Sequence, residues 1–342
     1  MVASLMIGTL LLQQNLPGVR AMASSNQVHG LVWTQGGRLI VVTGKQVFEP
    51  QTGRSRPLKS GKQIGAWEED KQSVHSRLGL QVSPDGVRAI GQGYELDLRT
   101  LVSRPLDRPA IWIGNALTEV SLELGKLTLL RKGRKTRVAR GWYVIGLSRD
   151  GHYAMASKVE PFDGATTYLL GVNLQTGKVK SLKRYPKSSD DHVMLSQVER
   201  QPDGSLYVGH KIDVASGIPT PFWLKSSPVP IQLPVAKGVS DWTFLTWLDK
   251  NWLVAERHFF FENSRGGFDA DALDLWRYRD GKLIRLVKVT QNWPYDDPQE
   301  TRGRLPVLGA HAIDWVRGNV AYAVNKPGSG LVYVMKIPLS LR

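Results

Sequence analysis

The chain has 342 residues, 42% of them hydrophobic and 22% charged, a globular composition that excludes disordered, collagen-like and polytopic membrane classes. It contains no cysteine, which removes thiolate zinc sites, iron–sulfur clusters and a cysteine nucleophile. Lys and Arg number 45 against 30 Asp and Glu, and the resulting charge of +15 favours anionic partners.

The chain opens on a short apolar run, Leu5 to Leu12, broken by Pro17 and Gly18 and followed by the small-x-small triplet Ala21-Met22-Ala23. That pattern predicts an export leader over residues 1–23, cleavage after Ala23, and a periplasmic or secreted mature chain. The run is shorter than the roughly 20 residues needed to span a bilayer, and no other stretch approaches that length. Met1 to Ser4 carry neither Lys nor Arg, a departure from the leader pattern.

From Val28 onward one unit recurs. Its first half is an apolar strand, a turn rich in Asp and Gly, and a second strand. It is seen at Trp33–Val42, Leu80–Ile90, Gly146–Ala156, Gln201–Gly209, Leu245–Ala255 and Ile313–Ala323, with a compressed copy at Ile111–Leu124. Its second half is a further hairpin turning at Thr-Gly, Asp-Gly or similar pairs. The copies are Val47–Leu58, Tyr94–Leu106, Leu127–Val138, Tyr168–Leu182, Pro221–Leu233, Leu273–Val287 and Gly330–Leu341. Gly, Asn and Asp suit such turns because they tolerate positive φ. Residues 24–342 number 319, about 46 for each of seven units or about 53 for each of six. Four strands per unit at this period predict an all-β single domain over 24–342. The architecture expected is a β-propeller of four-stranded antiparallel blades, with seven blades and six as the alternative.

The segments Ser83-Pro84-Asp85-Gly86 followed by Asp97-Leu98-Arg99-Thr100, and Ser148-Arg149-Asp150-Gly151 followed by Asn173-Leu174-Gln175-Thr176-Gly177, resemble the TolB-type and YVTN-type relatives of the WD40 repeat. The Trp-Asp and Gly-His pairs of true WD40 repeats are absent at the blade ends. The resemblance implies a propeller with a binding or scaffold role, although such propellers also host enzymes. It also implies that the Pro-Asp-Gly and Thr-Gly turns share one face of the fold. The longer connections would then form the other rim: Lys59–Arg77, Lys158–Thr167, Lys183–Met194, Lys211–Thr220, Arg257–Leu273 and Thr290–His311.

Candidate ligand-binding residues concentrate in two of those connections: His258, Phe260, Glu262, Asp269 and Asp271, then Trp293, Tyr295, Asp296 and His311. Carboxylates beside aromatic rings suit sugars or cationic groups. The bland alternative is an extended hairpin whose Phe residues pack beneath it. No catalytic residue can be assigned, no cofactor is called for, and Asp269, Asp271 and Asp274 lack the spacing of an EF-hand, so no metal is assigned. The run Lys126–Arg140 holds seven basic residues and no acid. Within it Arg131, Lys132, Arg134 and Lys135 are candidate contacts to an anionic surface, or charges that keep edge strands from pairing with other molecules. The expected partner is a protein or an anionic envelope polymer. Nucleic acid is disfavoured because no stacking aromatics accompany the basic runs. The chain is expected to be a monomer without a transmembrane segment. The leading function is an exported, non-enzymatic binding or scaffold module; a hydrolase or lyase using rim carboxylates on a saccharide is the alternative.

Overall fold

The computed structural model describes residues 20–24, 26–61, 80–91, 93–107, 110–113, 115–123, 126–131, 134–137, 143–147, 153–159, 167–173, 176, 178–185, 193–201, 207–213, 219–224, 228–237, 239–263, 266–294, 307–338 and 340. Among these residues are 28 strands in seven four-stranded sheets, and every described register is antiparallel. Strand β1 (Arg20–Ser24) stands apart in sequence from its sheet. The first sheet is β2 (Val28–Trp33), β3 (Leu39–Thr43), β4 (Gln46–Glu49) and β5 (Arg54–Pro57). The second is β6 (Gln81–Val82), β7 (Arg88–Gly91), β8 (Tyr94–Asp97) and β9 (Ser103–Pro105). The third is β10 (Ala110–Ile113), β11 (Ala116–Glu123), β12 (Lys126–Arg131) and β13 (Arg134–Arg137). The fourth is β14 (Tyr143–Leu147), β15 (Tyr153–Val159), β16 (Thr167–Asn173) and β17 (Val179–Tyr185). The fifth is β18 (Val193–Arg200), β19 (Tyr207–Asp213), β20 (Pro219–Leu224) and β21 (Pro228–Pro230). The sixth is β22 (Ser240–Trp247), β23 (Trp252–Asn263), β24 (Gly266–Arg277) and β25 (Lys282–Pro294). The last consists of β26 (Val307–Asp314), β27 (Asn319–Lys326), β28 (Ser329–Lys336) and β1.

The turns explain why each unit folds locally. At Ser83–Gly86, the Ser83 hydroxyl donates to Asp85 Oδ1 at 2.6 Å and accepts from Arg88 N at 2.9 Å, and Gly86 N donates to the Ser83 carbonyl at 2.8 Å. Gly86 sits at φ 66°, where its missing Cβ matters twice, since a methyl there would also strike the Gln35 side chain at 2.5 Å. The Ser83 and Val87 hydrogen bonds hold Asp85 below its ordinary pKa. In the Asp97–Thr100 turn the left-handed position is taken by Leu101 instead of Gly, at φ 62°. Leu101 is fully buried in the core, and that burial offsets the backbone strain.

Two compact units organise the chain, residues 32–231 and residues 1–31 together with 232–342. The first has a core built from Val32, Ile40, Val42, Val47, Leu80, Ala89, Tyr94, Leu96, Leu98 and Leu101. The second packs the sixth sheet against the last: Val254, Leu273, Leu275, Val287 and Val289 meet Val320, Tyr322, Val324, Tyr333 and Met335.

Gly330–Leu341 was expected to close on itself as a hairpin. Instead β28 takes its edge partner from the other end of the chain: Arg20 lies opposite Val334, Met22 opposite Val332 and Ser24 opposite Gly330. A buried polar clamp secures the same region, with Asn325 accepting from Val28 N and donating to Val28 O, both at 2.9 Å. The Ala21-Met22-Ala23 triplet thus lies inside a strand, and a cut directly after Ala23 leaves only Ser24 of β1. Deleting residues 20–24 strips one edge of β28 of its main-chain partners. The expected loss is about 2 kcal/mol in unfolding free energy, measured by urea titration against the chain beginning at Arg20.

Candidate functional site

The sixth sheet carries strands of 8, 12, 12 and 13 residues, whereas β2 to β5 have only 4 to 6. The extra length comes from unbroken pairing through His258–Glu262 and Phe268–Asp271, which sets Phe260 opposite Asp269 and Glu262 opposite Gly267. The segment Arg257–Leu273, expected as a long loop, is therefore a hairpin whose strands run to Asn263 and resume at Gly266.

Because strand side chains alternate between faces, register assigns each candidate to a side. His258 and Phe260 of β23 share a face with Asp271 of β24, and the backbone register places the positions of Glu262, Asp269 and Trp293 in line with them. Six of the nine candidate positions thus fall in one backbone register of one sheet. His311 joins them from β26, with its Nε2 3.6 Å from Glu256 Oε1 one rung below His258. Tyr295 and Asp296 lie outside the described residues.

On this face the Asp271 carboxylate accepts a hydrogen bond from His258 Nδ1 at 2.9 Å, with the two side chains 23% and 26% exposed. A carboxylate can only accept, so the bond places the proton of a neutral His258 on Nδ1. The Phe260 ring stacks beside the imidazole at a centroid distance of 6.2 Å. His311 is the buried member, and burial pushes its pKa down to about 4. Among the described residues no group of three His, Asp or Glu side chains is placed to hold a metal ion.

The opposite face holds what sequence reasoning missed. Arg257 is fully buried; its Nη2 donates to the Pro234 carbonyl and to Asp241 Oδ2, each at 2.9 Å. Its Nη1 lies 3.5 Å from Asp274, itself fully buried, which accepts from Arg285 Nε at 2.6 Å and Nη2 at 2.9 Å. The Phe259 ring is flanked by three cations, Arg257 at 4.6 Å, Arg285 at 5.3 Å and Lys288 at 5.6 Å. Partial burial first, and Arg285 second, hold Lys288 below its ordinary pKa, with Asp274 acting in the opposite sense. The signal available in the sequence is the alternation Leu253, Ala255, Arg257, Phe259, which sets Arg257 among apolar positions of one face.

Of the basic candidates, Arg131 ends β12 and Arg134 and Lys135 begin β13, the edge strand of the third sheet; Lys132 lies outside the described residues.

The sequence matches no family profile and no curated protein sequence. Its structure does have counterparts. The β-propeller domain of Cps50 (Swd1) from Myceliophteria thermophila superposes with a TM-score of 0.50 at 11% identity, covering 94% of this chain and 100% of that one. The chain has a β-propeller fold. An oligogalacturonate lyase from Vibrio parahaemolyticus (TM-score 0.42, 12% identity, 96% and 99% covered) and a candidate TolB from Agrobacterium tumefaciens (0.39, 11%, 94% and 100%) are also similar. At these identities the likeness concerns the fold alone, and this propeller's function has to be argued from its own residues. No helix among the described residues is long and apolar enough to cross a membrane.

Proposed function

We propose that this propeller is an exported, non-enzymatic binding or scaffold module that holds a protein or an anionic envelope polymer, with the extended face of the sixth sheet as its protein-binding surface. The observation that supports the reading is the backbone register that aligns the positions of His258, Phe260, Glu262, Asp269, Asp271 and Trp293 within one sheet. Aromatic and acidic positions repeated along neighbouring strands suit a broad partner bearing basic side chains. The partial exposure of the His258–Asp271 pair keeps that part of the face open to contact.

A photo-crosslinking side chain at position 260 tests this reading in envelope extracts. A discrete protein adduct is expected, and the Asp269→Ala, Asp271→Ala double variant should lower its yield about tenfold, equivalent to about 1.4 kcal/mol. The same variant should lose no more than about 1 kcal/mol of stability, because the one bond known to be removed, to His258, is partly solvent-screened. Export belongs to the same reading, and sequencing the N-terminus of the exported chain shows whether processing spares Arg20–Ser24.

One observation favours a second reading. An imidazole oriented by a carboxylate at 2.9 Å is the arrangement of a general base. Saccharide turnover abolished by His258→Ala, with no protein adduct at position 260, would replace the binding module with a hydrolase or lyase.

A further inference from the structure

Each sheet ends on an edge strand that comes last in its topology: β5, β9, β13, β17, β21, β25 and, for the last sheet, β1. In the first sheet this edge is the open one, since all four residues of β5 are exposed while β2 at the other edge is mostly buried. Basic residues in these seven strands number two, one, three, three, none, three and one in that order, and none of the chain's 30 acidic residues falls in any of them. Roughly three acids would fall there by composition, so the sign bias is a property of the edges and not of the chain as a whole.

Within residues 32–231 the first four edges are consecutive: Arg54 and Arg56 on β5, Arg104 on β9, Arg134, Lys135 and Arg137 on β13, and Lys180, Lys183 and Arg184 on β17. Two hydrogen bonds join the segments that flank the first two edges. Arg54 Nη2 donates to the Arg99 carbonyl at 2.9 Å, and Lys59 N donates to Ser103 Oγ at 2.6 Å. Between them lies a cleft of about 120 Å³ lined by Arg54, Ser55, Arg56, Thr100 and Leu101. Its walls offer guanidinium and hydroxyl donors, the chemistry of a phosphate or carboxylate site. Of the carboxylates nearest in the chain, Asp97 is taken up by its own turn and Glu49 is shared between Arg38 and Arg54. Asp97 accepts from Arg99 N and Thr100 N at 2.9 and 2.8 Å, and Glu49 is fully buried against Arg38 at 2.9 Å and Arg54 at 3.7 Å. Among the described residues Arg56 and Arg104 have no ion-pair partner.

We infer that the edge strands β5, β9, β13 and β17 form a track for a linear polyanion whose successive phosphate or carboxylate groups engage successive edges, one of them in the Arg54–Thr100 cleft. The inference names the anionic polymer of the binding-module reading and rests on it. Charge that only kept edges from pairing needs no cleft. A flexible chain gains from recurrence over four edges because each further contact is intramolecular.

The test uses the full-length chain and fluorescently labelled inorganic polyphosphate, followed by anisotropy across a salt series. Binding is expected at low salt, with little competition from monomeric phosphate at equal phosphate concentration. The Arg54→Gln, Arg56→Gln, Arg104→Gln variant should bind about tenfold more weakly, with the slope of log affinity against log salt shallower by about two. Asp269→Ala with Asp271→Ala should leave polyphosphate binding unchanged, so loss of the position-260 adduct and loss of the track are separate outcomes. Wild-type affinity in the triple Arg variant overturns the track, and aggregation of that variant with binding intact assigns the edges to solubility alone. Binding to vesicles of phosphatidylglycerol and phosphatidylcholine in equal parts, without binding to polyphosphate, replaces the polymer with a membrane surface.

Discussion

Replacing Arg257 by Met is expected to lower the unfolding free energy by about 3 to 5 kcal/mol, the largest effect of any single substitution outside the hydrophobic core. The size follows from what is left behind. Asp241 loses its guanidinium partner, and Asp274, with no exposed surface, keeps Arg285 but loses the second cation of its pair. Phe259 also loses the closest of its three cations. The network is not fully satisfied even in the native protein, since Arg257 Nε and Nη1 make no hydrogen bond. Its net stabilisation over an apolar core is therefore small, and the large loss comes from stranding charge. Two companions separate these contributions. Arg257→Met combined with Asp241→Asn removes the stranded carboxylate and should recover part of the loss, whereas Arg257→Lys should not, because an ammonium cannot reach Pro234, Asp241 and Asp274 in one plane. Urea unfolding followed by tryptophan fluorescence measures all three. A loss below about 1 kcal/mol for Arg257→Met would show that the guanidinium is not the buried keystone of this face.

The parts of the fold that were legible in the sequence are those whose causes are local. Ser83-Pro84-Asp85-Gly86 announces a turn because the hydrogen bonds that close it span no more than five positions of the chain, and the same holds for Asp280-Gly281, where Gly281 takes φ 69°. Hairpin by hairpin, this places four strands in each sheet without tertiary knowledge. The partner of β28 was not legible, because Arg20 and Val334 are joined only by register across the whole chain, and residues 20–23 also fit a leader. The candidate site was legible in composition and not in shape. His258, Phe260, Asp269 and Asp271 stand out as polar and aromatic residues in one stretch, but a loop and an extended hairpin share that composition, and only the pairing of Phe260 with Asp269 makes it a face. Arg257 sits in the same stretch and was passed over. Its role depends on Asp241 and on Asp274, which the irregularity between Leu273 and Asp274 brings opposite Arg285. A one-residue shift of register would have turned Arg257 to the other face.

Acid should weaken this protein before its carboxylates are protonated, because His311 is buried in its neutral form. Its pKa is pushed down to about 4 by burial, against about 6.5 in the unfolded chain. The folded pKa is the lower one, so as pH falls through 6.5 the unfolded chain takes up a proton that the folded chain refuses. The stability tied to this group is fully present above the unfolded pKa and is lost progressively down to about pH 4, a total of about 3 kcal/mol. Groups facing the imidazole fix the sign. Tyr322, its cross-strand partner, is itself held neutral, its pKa raised to about 12 first by burial and then by Tyr333, so its phenol supplies no charge near neutrality. Among the described residues the Glu256 carboxylate is the charged neighbour that would favour the imidazolium, but at 3.6 Å from Nε2 it lies beyond hydrogen-bond range. His258, on the same strand as Glu256, is bonded to Asp271 at 2.9 Å. His311→Gln keeps a polar side chain of similar reach that does not titrate. Unfolding free energies of both proteins from pH 7.5 to 4 should therefore converge as the wild type loses its advantage, with the difference between them changing by about 3 kcal/mol across the interval. Parallel curves would mean that His311 accepts its proton in the folded state, with Glu256 moving to within hydrogen-bond distance to hold it.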